Sequence, residues 1–377
     1  MIALKEVTNP KELSLFIFLP KQLYKSYKEW VPPLYGDEKK FHSPKHNEAL
    51  GYSDTIRYIA FKDGVPVGRI MGIINKKYNT EHKETTARFF NLDCINDKEI
   101  SSLLIKAIEK WAIHKGMNKV IGPFGFSDKD PQGLKIEGHE NLAVILTPAN
   151  PPYLQQLVEN EGYTKELDCL SYKVNIPEQL PESYIKICNR IRSRGSFTLK
   201  EFSSRSQLKP YIMPVLKLVN ETYGHIFGFV PLSETEIVKL AAQYVPILEP
   251  DLVKLVLDKE QVPVGFVVSM PGMTKGLQQS GGLLFPFGFI HILSAMKRTQ
   301  QLVLLLGAVK PGNRGVGVTA LLAEALMRDA RKRNMTVIDS HVILESNHLM
   351  RAEVENLGGV IYKRFQGISK KYITNVF

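Results

Sequence analysis

Gly307-Ala308-Val309-Lys310-Pro311-Gly312-Asn313-Arg314-Gly315-Val316-Gly317-Val318 joins an apolar run, Leu302 to Val309, to an amphipathic pattern from about Val318 to Arg333. The run reads as a strand and the pattern as a helix. Glycine tolerates the positive φ of a tight turn, and such a turn aims successive backbone N–H groups at one point. The start of the helix adds partial positive charge, so the stretch reads as a cradle for a diphosphate. A plain strand-to-helix turn is the alternative. A dinucleotide-binding Gly-x-Gly-x-x-Gly is excluded, because Ala320 stands where the third glycine belongs, and the Gly-Lys-Ser/Thr of a P-loop is absent.

Outward from this turn, the second half of the chain predicts a strand at Phe197 to Phe202 and helices at about Gln207 to Thr222 and Ser233 to Val245. Ser233 and Glu236 have the spacing of a capping box. Strands follow at Val253 to Leu257, Val264 to Ser269 and Gln301 to Val309, then the helix after the cradle. A strand from Thr336 to Leu344, a short helix from His348 to Asn356 and a closing strand pair from about Val360 complete the half. The first half repeats the order: helix Pro10 to Tyr27, strands Arg57 to Lys62, Val67 to Ile74 and Thr86 to Leu92, helix Asp97 to Lys115, strand Lys119 to Gly122, helix Pro152 to Asn160. Pro66-Val67-Gly68 recurs as Pro263-Val264-Gly265, and Val158-Glu159-Asn160 recurs as Val354-Glu355-Asn356 at nearly the same offset. The reading is α/β with a mixed sheet, two copies of one fold in tandem, 1–176 and 177–377. Where the second copy has its glycines, the first reads Asp93-Cys94-Ile95-Asn96-Asp97-Lys98, so the first copy is degenerate and its side chains would block a phosphate.

The pattern Val309-x-Pro311-x-x-Arg314-Gly315-x-Gly317-Val318 resembles the coenzyme A pyrophosphate loop of the GNAT acyltransferases. It departs from that superfamily's Gln/Arg-x-x-Gly-x-Gly/Ala at the first position, which is Gly312. The resemblance implies acetyl-CoA or another acyl-CoA as the bound substrate, Val309 against the pantetheine arm, and Asn313, Arg314, Gly315, Val316, Gly317 and Val318 around the diphosphate. Asn347 resembles the superfamily's pantetheine-facing Asn, and is equally readable as a helix N-cap. The wider chain resembles a bacterial family of tandem GNAT-like proteins of uncertain substrate. That likeness is carried by Trp30-Val31-Pro32-Pro33-Leu34, Val67-Gly68-Arg69-Ile70, Phe89-Phe90, Ile121-Gly122-Pro123, Asn150-Pro151-Pro152-Tyr153, Phe227-Gly228-Phe229-Val230-Pro231-Leu232 and Ile343-Leu344-Glu345-Ser346-Asn347. It implies the fold and a transferase assignment and leaves the substrate open. The reading is acyl transfer to a small-molecule amine, with a long-chain acyl-CoA transferase acting on an amino-lipid as the alternative that the apolar insert below motivates.

The superfamily's thiolate-protonating Tyr falls on Val354 here, which keeps a non-catalytic coenzyme A-sensing or scaffold protein in play. Candidate catalytic bases are His341 and Glu345, which share one face of a period-two strand. Tyr223 and His225 stand in the loop expected to meet the acceptor. The insert Met270 to Arg298 centres on Leu283-Leu284-Phe285-Pro286-Phe287-Gly288-Phe289-Ile290-His291-Ile292-Leu293. It reads as a helix packed on the sheet or on the other half; exposed in part, it would wall an acceptor tunnel or touch a membrane peripherally.

Composition bounds these readings. A formal charge of +11 calls for an anionic partner, but Lys and Arg are spread along the chain with no aromatic-interleaved basic motif, so no nucleic-acid site is expected. Cys94, Cys169 and Cys188 are an odd number in no metal-binding spacing; reduced thiols, no metal and a cytoplasmic setting are the expectation. The sequence offers no reading of the oligomeric state.

Overall fold

Fourteen strands of the computed structural model, which describes residues 1–372, join in one sheet. The first half contributes β1 (Ile2–Glu6), α1 (Pro10–Leu23), α2 (Tyr35–Phe41), β2 (Ser53–Lys62), β3 (Val65–Asn75), α3 (Lys76–His82), β4 (Thr86–Cys94), α4 (Lys98–His114), β5 (Lys119–Gly122), β6 (Leu134–Glu137), α5 (Tyr153–Glu159) and β7 (Thr164–Asn175). The second contributes α6 (Glu182–Arg194), β8 (Thr198–Lys200), α7 (Arg205–Thr222), α8 (Glu234–Tyr244), β9 (Val253–Leu257), β10 (Pro263–Pro271), α9 (Thr274–Ser280), α10 (Gly288–Arg298), β11 (Gln301–Val309), α11 (Val318–Lys332), β12 (Val337–Asp339), β13 (Ile343–Leu344), α12 (His348–Asn356) and β14 (Val360–Lys371).

Each half carries an antiparallel meander followed by one strand-helix-strand crossover. The crossover makes a parallel pair in each: Thr86 lies beside Lys119 in β4–β5, and Gln301 beside Val337 in β11–β12. The helix between them is amphipathic for a simple reason. In α11, Val318, Leu321, Leu322 and Ala325 are buried, and Val318, Leu321 and Leu322 pack with Val256 and Val264 of the sheet. Burying each such leucine contributes about 2 kcal/mol.

The halves exchange their last strands. β14 inserts into the first half between β5 and β7, with Ile368 opposite Gly122 and Phe365 opposite Cys169. β7 in turn pairs with β12 of the second half, Ile338 opposite Val174. One sheet therefore runs through both copies, in the order β1-β2-β3-β4-β5-β14-β7-β12-β11-β10-β9-β8.

Three expectations change in detail. The strand expected over Thr336 to Leu344 breaks into β12 and β13, because His341 adopts a left-handed φ of 58°. The closing strand pair is a single long β14. The first helix stops at Leu23, with Tyr24 as its C-cap.

Candidate functional site

β11 and β12 pair only from Gln301 to Val303, after which they part. Beyond the split, β11 carries a bulge: Ser269 of β10 faces Leu304 while Val268 faces Leu306, leaving Leu305 out of the ladder. Bulges re-aim backbone groups locally, and this one lies where the strand loses its neighbour. Tyr223 covers part of that open edge. Its hydroxyl donates to the Gly307 carbonyl at 3.0 Å and lies 3.3 Å from the Gly307 amide. Burial pushes the phenol up to about 12, so it stays protonated at neutral pH.

At the end of β11 the chain turns through Pro311–Asn313 and enters α11 at Gly317. Gly315 and Gly317 have φ of 73° and 96°, which a residue with a Cβ adopts only under strain. A Cβ on Gly315 would meet no atom within 4 Å, whereas one on Gly317 would run into Ile191 and Ile187 of α6. The turn is thus open on its Gly315 side and braced on its Gly317 side. Among the described residues, no side chain caps α11. Its first amides are free to receive an anion, the usual property of an uncapped helix start. Lys310 and Arg314 are exposed beside it, and Arg314 Nε donates to the Val309 carbonyl at 3.1 Å. Asn313 closes the short turn through its own amide to Lys310, and Val316 is exposed.

The corresponding place in the first half is built differently. There Asp97 caps α4, its Oδ1 accepting from Glu99 and Ile100 amides at 2.9 and 3.4 Å. Lys62, bonded to the same carboxylate, holds it below its ordinary pKa. A carboxylate of the protein occupies the anion position.

The remaining candidates are each engaged by partners of their own or exposed. Asn347 caps α12, accepting from the Met350 amide at 3.2 Å. Val354 is buried among Leu326, Tyr172 and Ile343, so α12 offers an aliphatic side chain to the core where a phenol was sought. His341 faces the first half: its Nε2 donates to the Ile145 carbonyl at 2.9 Å, and its amide donates to Asp339 at 2.8 Å. Because a carbonyl only accepts, that bond places the ring proton on Nε2 and leaves Nδ1 as the basic atom. Burial lowers the His341 pKa, keeping the ring neutral. Glu345 is held between Lys165 at 2.9 Å and Arg364 at 3.1 Å, and these cations lower its pKa. The left-handed kink at His341 removes the common strand face expected for the two residues. His225 is exposed in the loop after α7.

A cavity of about 730 Å³ opens between the halves and escaped the sequence reading. Its walls include Phe90 to Asp93 of β4, Glu38, Asp130, Ile145, and Leu240 and Tyr244 from α8. Apolar side chains, among them Val31, Leu34, Phe126, Val144 and Leu277, surround a few carboxylates. Burial raises the pKa of Glu38, whose Oε2 has no hydrogen-bond partner among the described residues. Burial also raises Asp130 to about 6. Asp93 is paired with Arg69 at 2.8 Å. Ile145, which accepts from His341, packs in one cluster with Leu305 of the β11 bulge, so the cavity backs onto the parted strands of the second half. Glu38 and Asp130 lie far apart in sequence, and no local motif marks either of them.

Among the described residues, no group of His, Cys, Asp and Glu could hold a metal ion, and no helix is long and apolar enough to cross a membrane. The three cysteines are buried and unpaired.

Two antiparallel meanders, each followed by a parallel crossover pair, make this a tandem GNAT fold. No family model matches the chain. A tandem GNAT protein from the clavulanic acid biosynthesis pathway covers 98% of both chains with a TM-score of 0.58 at 12% identity. A GCN5-related N-acetyltransferase from Sphaerobacter thermophilus gives a TM-score of 0.53 at 12% identity, covering 98% of this chain and 95% of that one. Among curated proteins, the chain is 27% identical to protein YghO of Escherichia coli over 96% of its length and 94% of the relative's. It is 26% identical to the bacterial ceramide synthase of Caulobacter vibrioides, covering 97% of this chain and 96% of that protein.

Proposed function

We propose that the chain is an acyl-CoA-dependent N-acyltransferase whose second copy holds the nucleotide and whose acceptor is an amine. The observation that carries this is the open turn at Gly315 leading into an uncapped helix beside Lys310 and Arg314. Within the stretch Asn313 to Val318, the first two amides already donate to Lys310 and Pro311. The amides of Gly315 to Val318 would therefore take the diphosphate, with the free edge of β11 near Val309 taking the pantetheine arm.

The acceptor nitrogen would attack the thioester carbonyl, forming the C–N bond as the C–S bond breaks. His341 Nδ1 is the proposed acceptor of the amine proton, its ring aligned by the bond from Nε2 to Ile145. Glu345, already engaged by two cations, is the weaker base of the pair and is assigned to orienting the nearby chain. Tyr223 is the proposed donor to the departing sulfur, since Val354 offers no proton and the Tyr223 phenol sits on β11 itself. Positioning supplies much of the remaining acceleration.

An amino-lipid acceptor is the second reading. It is favoured by the cavity, whose apolar walls suit an aliphatic chain and whose Glu38 and Asp130 suit an ammonium head. It agrees with the ceramide synthase named among the relatives. The test is release of free thiol from acetyl- and long-chain acyl-CoA with small amines and long-chain amino-alcohols as acceptors. Acceptor-dependent release supports transfer, and the preferred chain length separates the two readings. Coenzyme A binding without release under any acceptor would identify a coenzyme A sensor instead.

A further inference from the structure

The tip of the insert leaves large apolar side chains in the open. Phe285 is 79% exposed, Phe287 67%, Leu293 53% and Ile290 51%. Isolated exposed hydrophobes are ordinary on a soluble surface, but a contiguous group of this size marks an interaction site. The group is held stiffly. The inner face of α10 is committed to the core, with Ile292 and Met296 packed on Met270, Leu277 and Val303. α9 and α10 touch backbone to backbone, since a Cβ on Gly276 would lie 2.6 Å from the Ile292 Cα. The base of the loop is tied to the first half, where the Tyr35 amide donates to Gly282 at 3.0 Å. α10 is therefore apolar on a second face that none of the described residues covers, a pattern that an amphipathic surface helix does not need.

The charge around this edge selects its occupant. From Gln261 to Ala323 the chain contains no Asp or Glu, although carboxylates number 38 overall. Lys275, Lys297 and Arg298 are exposed in that stretch, and Lys21 Nζ stands 3.4 Å from where a Gly281 side chain would begin. An apolar tip within a cationic, carboxylate-free rim matches the interface of an anionic bilayer, where aromatic side chains enter the acyl boundary and lysines meet headgroups. Two copies of such an edge would repel each other across a rim of like charge.

We propose that Leu283–Leu293 docks the protein on an anionic membrane surface, with Phe285 and Phe287 inserted and Lys297 and Arg298 at the headgroups. This goes beyond acyl transfer and does not depend on it, because docking needs neither nucleotide nor acceptor.

The test is flotation of the full-length chain, without coenzyme A, on vesicles of phosphatidylethanolamine with phosphatidylglycerol and on vesicles of phosphatidylcholine alone. The chain should float with the anionic vesicles and remain behind with the neutral ones, and added salt should weaken the partition. Phe285→Ser/Phe287→Ser should lower partition at least about tenfold, given the transfer energy of a phenyl side chain. Lys297→Glu/Arg298→Glu should lower it as well. All four side chains are exposed, so the melting curves should match the parent's. Should the serine variant fail to fold, Phe285→Trp reads insertion directly, as a blue shift of emission on adding anionic vesicles. The proposal is overturned if the parent chain stays unbound with both vesicle types, or if the serine variant floats like the parent. A parent dimer that the serine variant converts to monomer would also overturn it, by assigning the edge to a second copy.

Discussion

The two crossover helices of this protein begin in opposite ways. α4 starts at Asp97, whose carboxylate accepts from the first-turn amides and is itself neutralised by Lys62. α11 starts at Gly317, with no side-chain cap among the described residues, behind an open glycine turn and beside exposed Lys310 and Arg314. The backbones follow the same route: Ile95 closes onto Val67 in the first copy, as Lys310 closes onto Val264 in the second. One fold, duplicated, has thus satisfied the same helix start internally in one copy and left it uncapped in the other, where the proposed function puts the diphosphate. A helix dipole alone does not make a binding site; what matters is whether the chain supplies its own anion.

The comparison can be broken most forcefully by giving the second start the carboxylate of the first. Gly315→Glu should lower coenzyme A affinity by at least about a hundredfold, because a fixed negative charge displaces and repels the diphosphate. Titration calorimetry measures this, with the melting curve as a control for folding.

A stability test bears on the seam that joins the two copies. Lys363 and Asp339 are fully buried, 3.3 Å apart, where β14 and β12 flank β7. Asp339→Ala would leave the Lys363 ammonium buried without its partner and should cost about 3–5 kcal/mol by denaturant unfolding. It would also release the His341 amide, so acyl transfer should fall further than stability alone explains.

Removing the Tyr223 hydroxyl tests the proton donor proposed for the second copy. Tyr223→Phe should slow transfer about a hundredfold while coenzyme A affinity holds, a separation that a packing defect would not give. His341 sets a pH limit. Its folded pKa lies below the ordinary value of about 6.5, so the unfolded chain takes up a proton first and stability declines as pH falls below that point. His341→Gln should flatten that decline, measured as melting temperature against pH.

The smallest effect belongs to the first copy. Asp97→Ala should cost about 1 kcal/mol through the lost cap and should create no second nucleotide site, because Cys94 to Lys98 contains no glycine to open the turn.

The parts of this architecture that were legible from sequence are those with local causes. The cradle turn combines an apolar strand, spaced glycines and a helical pattern within a short window, and the Pro-Val-Gly repeat marks equivalent hairpins. The exchange of β7 and β14 was not legible, since pairing between Phe365 and Cys169 leaves no short-range trace. His341 misled the period-two reading because a left-handed residue inside an otherwise extended segment has no compositional signal when it is not glycine. Glu38 of α2 and Asp130 of the loop after β5 meet only in the fold, where both line one cavity.

Calorimetric titration of the intact chain with coenzyme A addresses the asymmetry between the copies most directly. The expected result is one site per chain, lost in Gly315→Glu and retained in Asp97→Ala. Two sites, or a single site indifferent to Gly315→Glu, would contradict the assignment of the nucleotide to the second copy's open helix start.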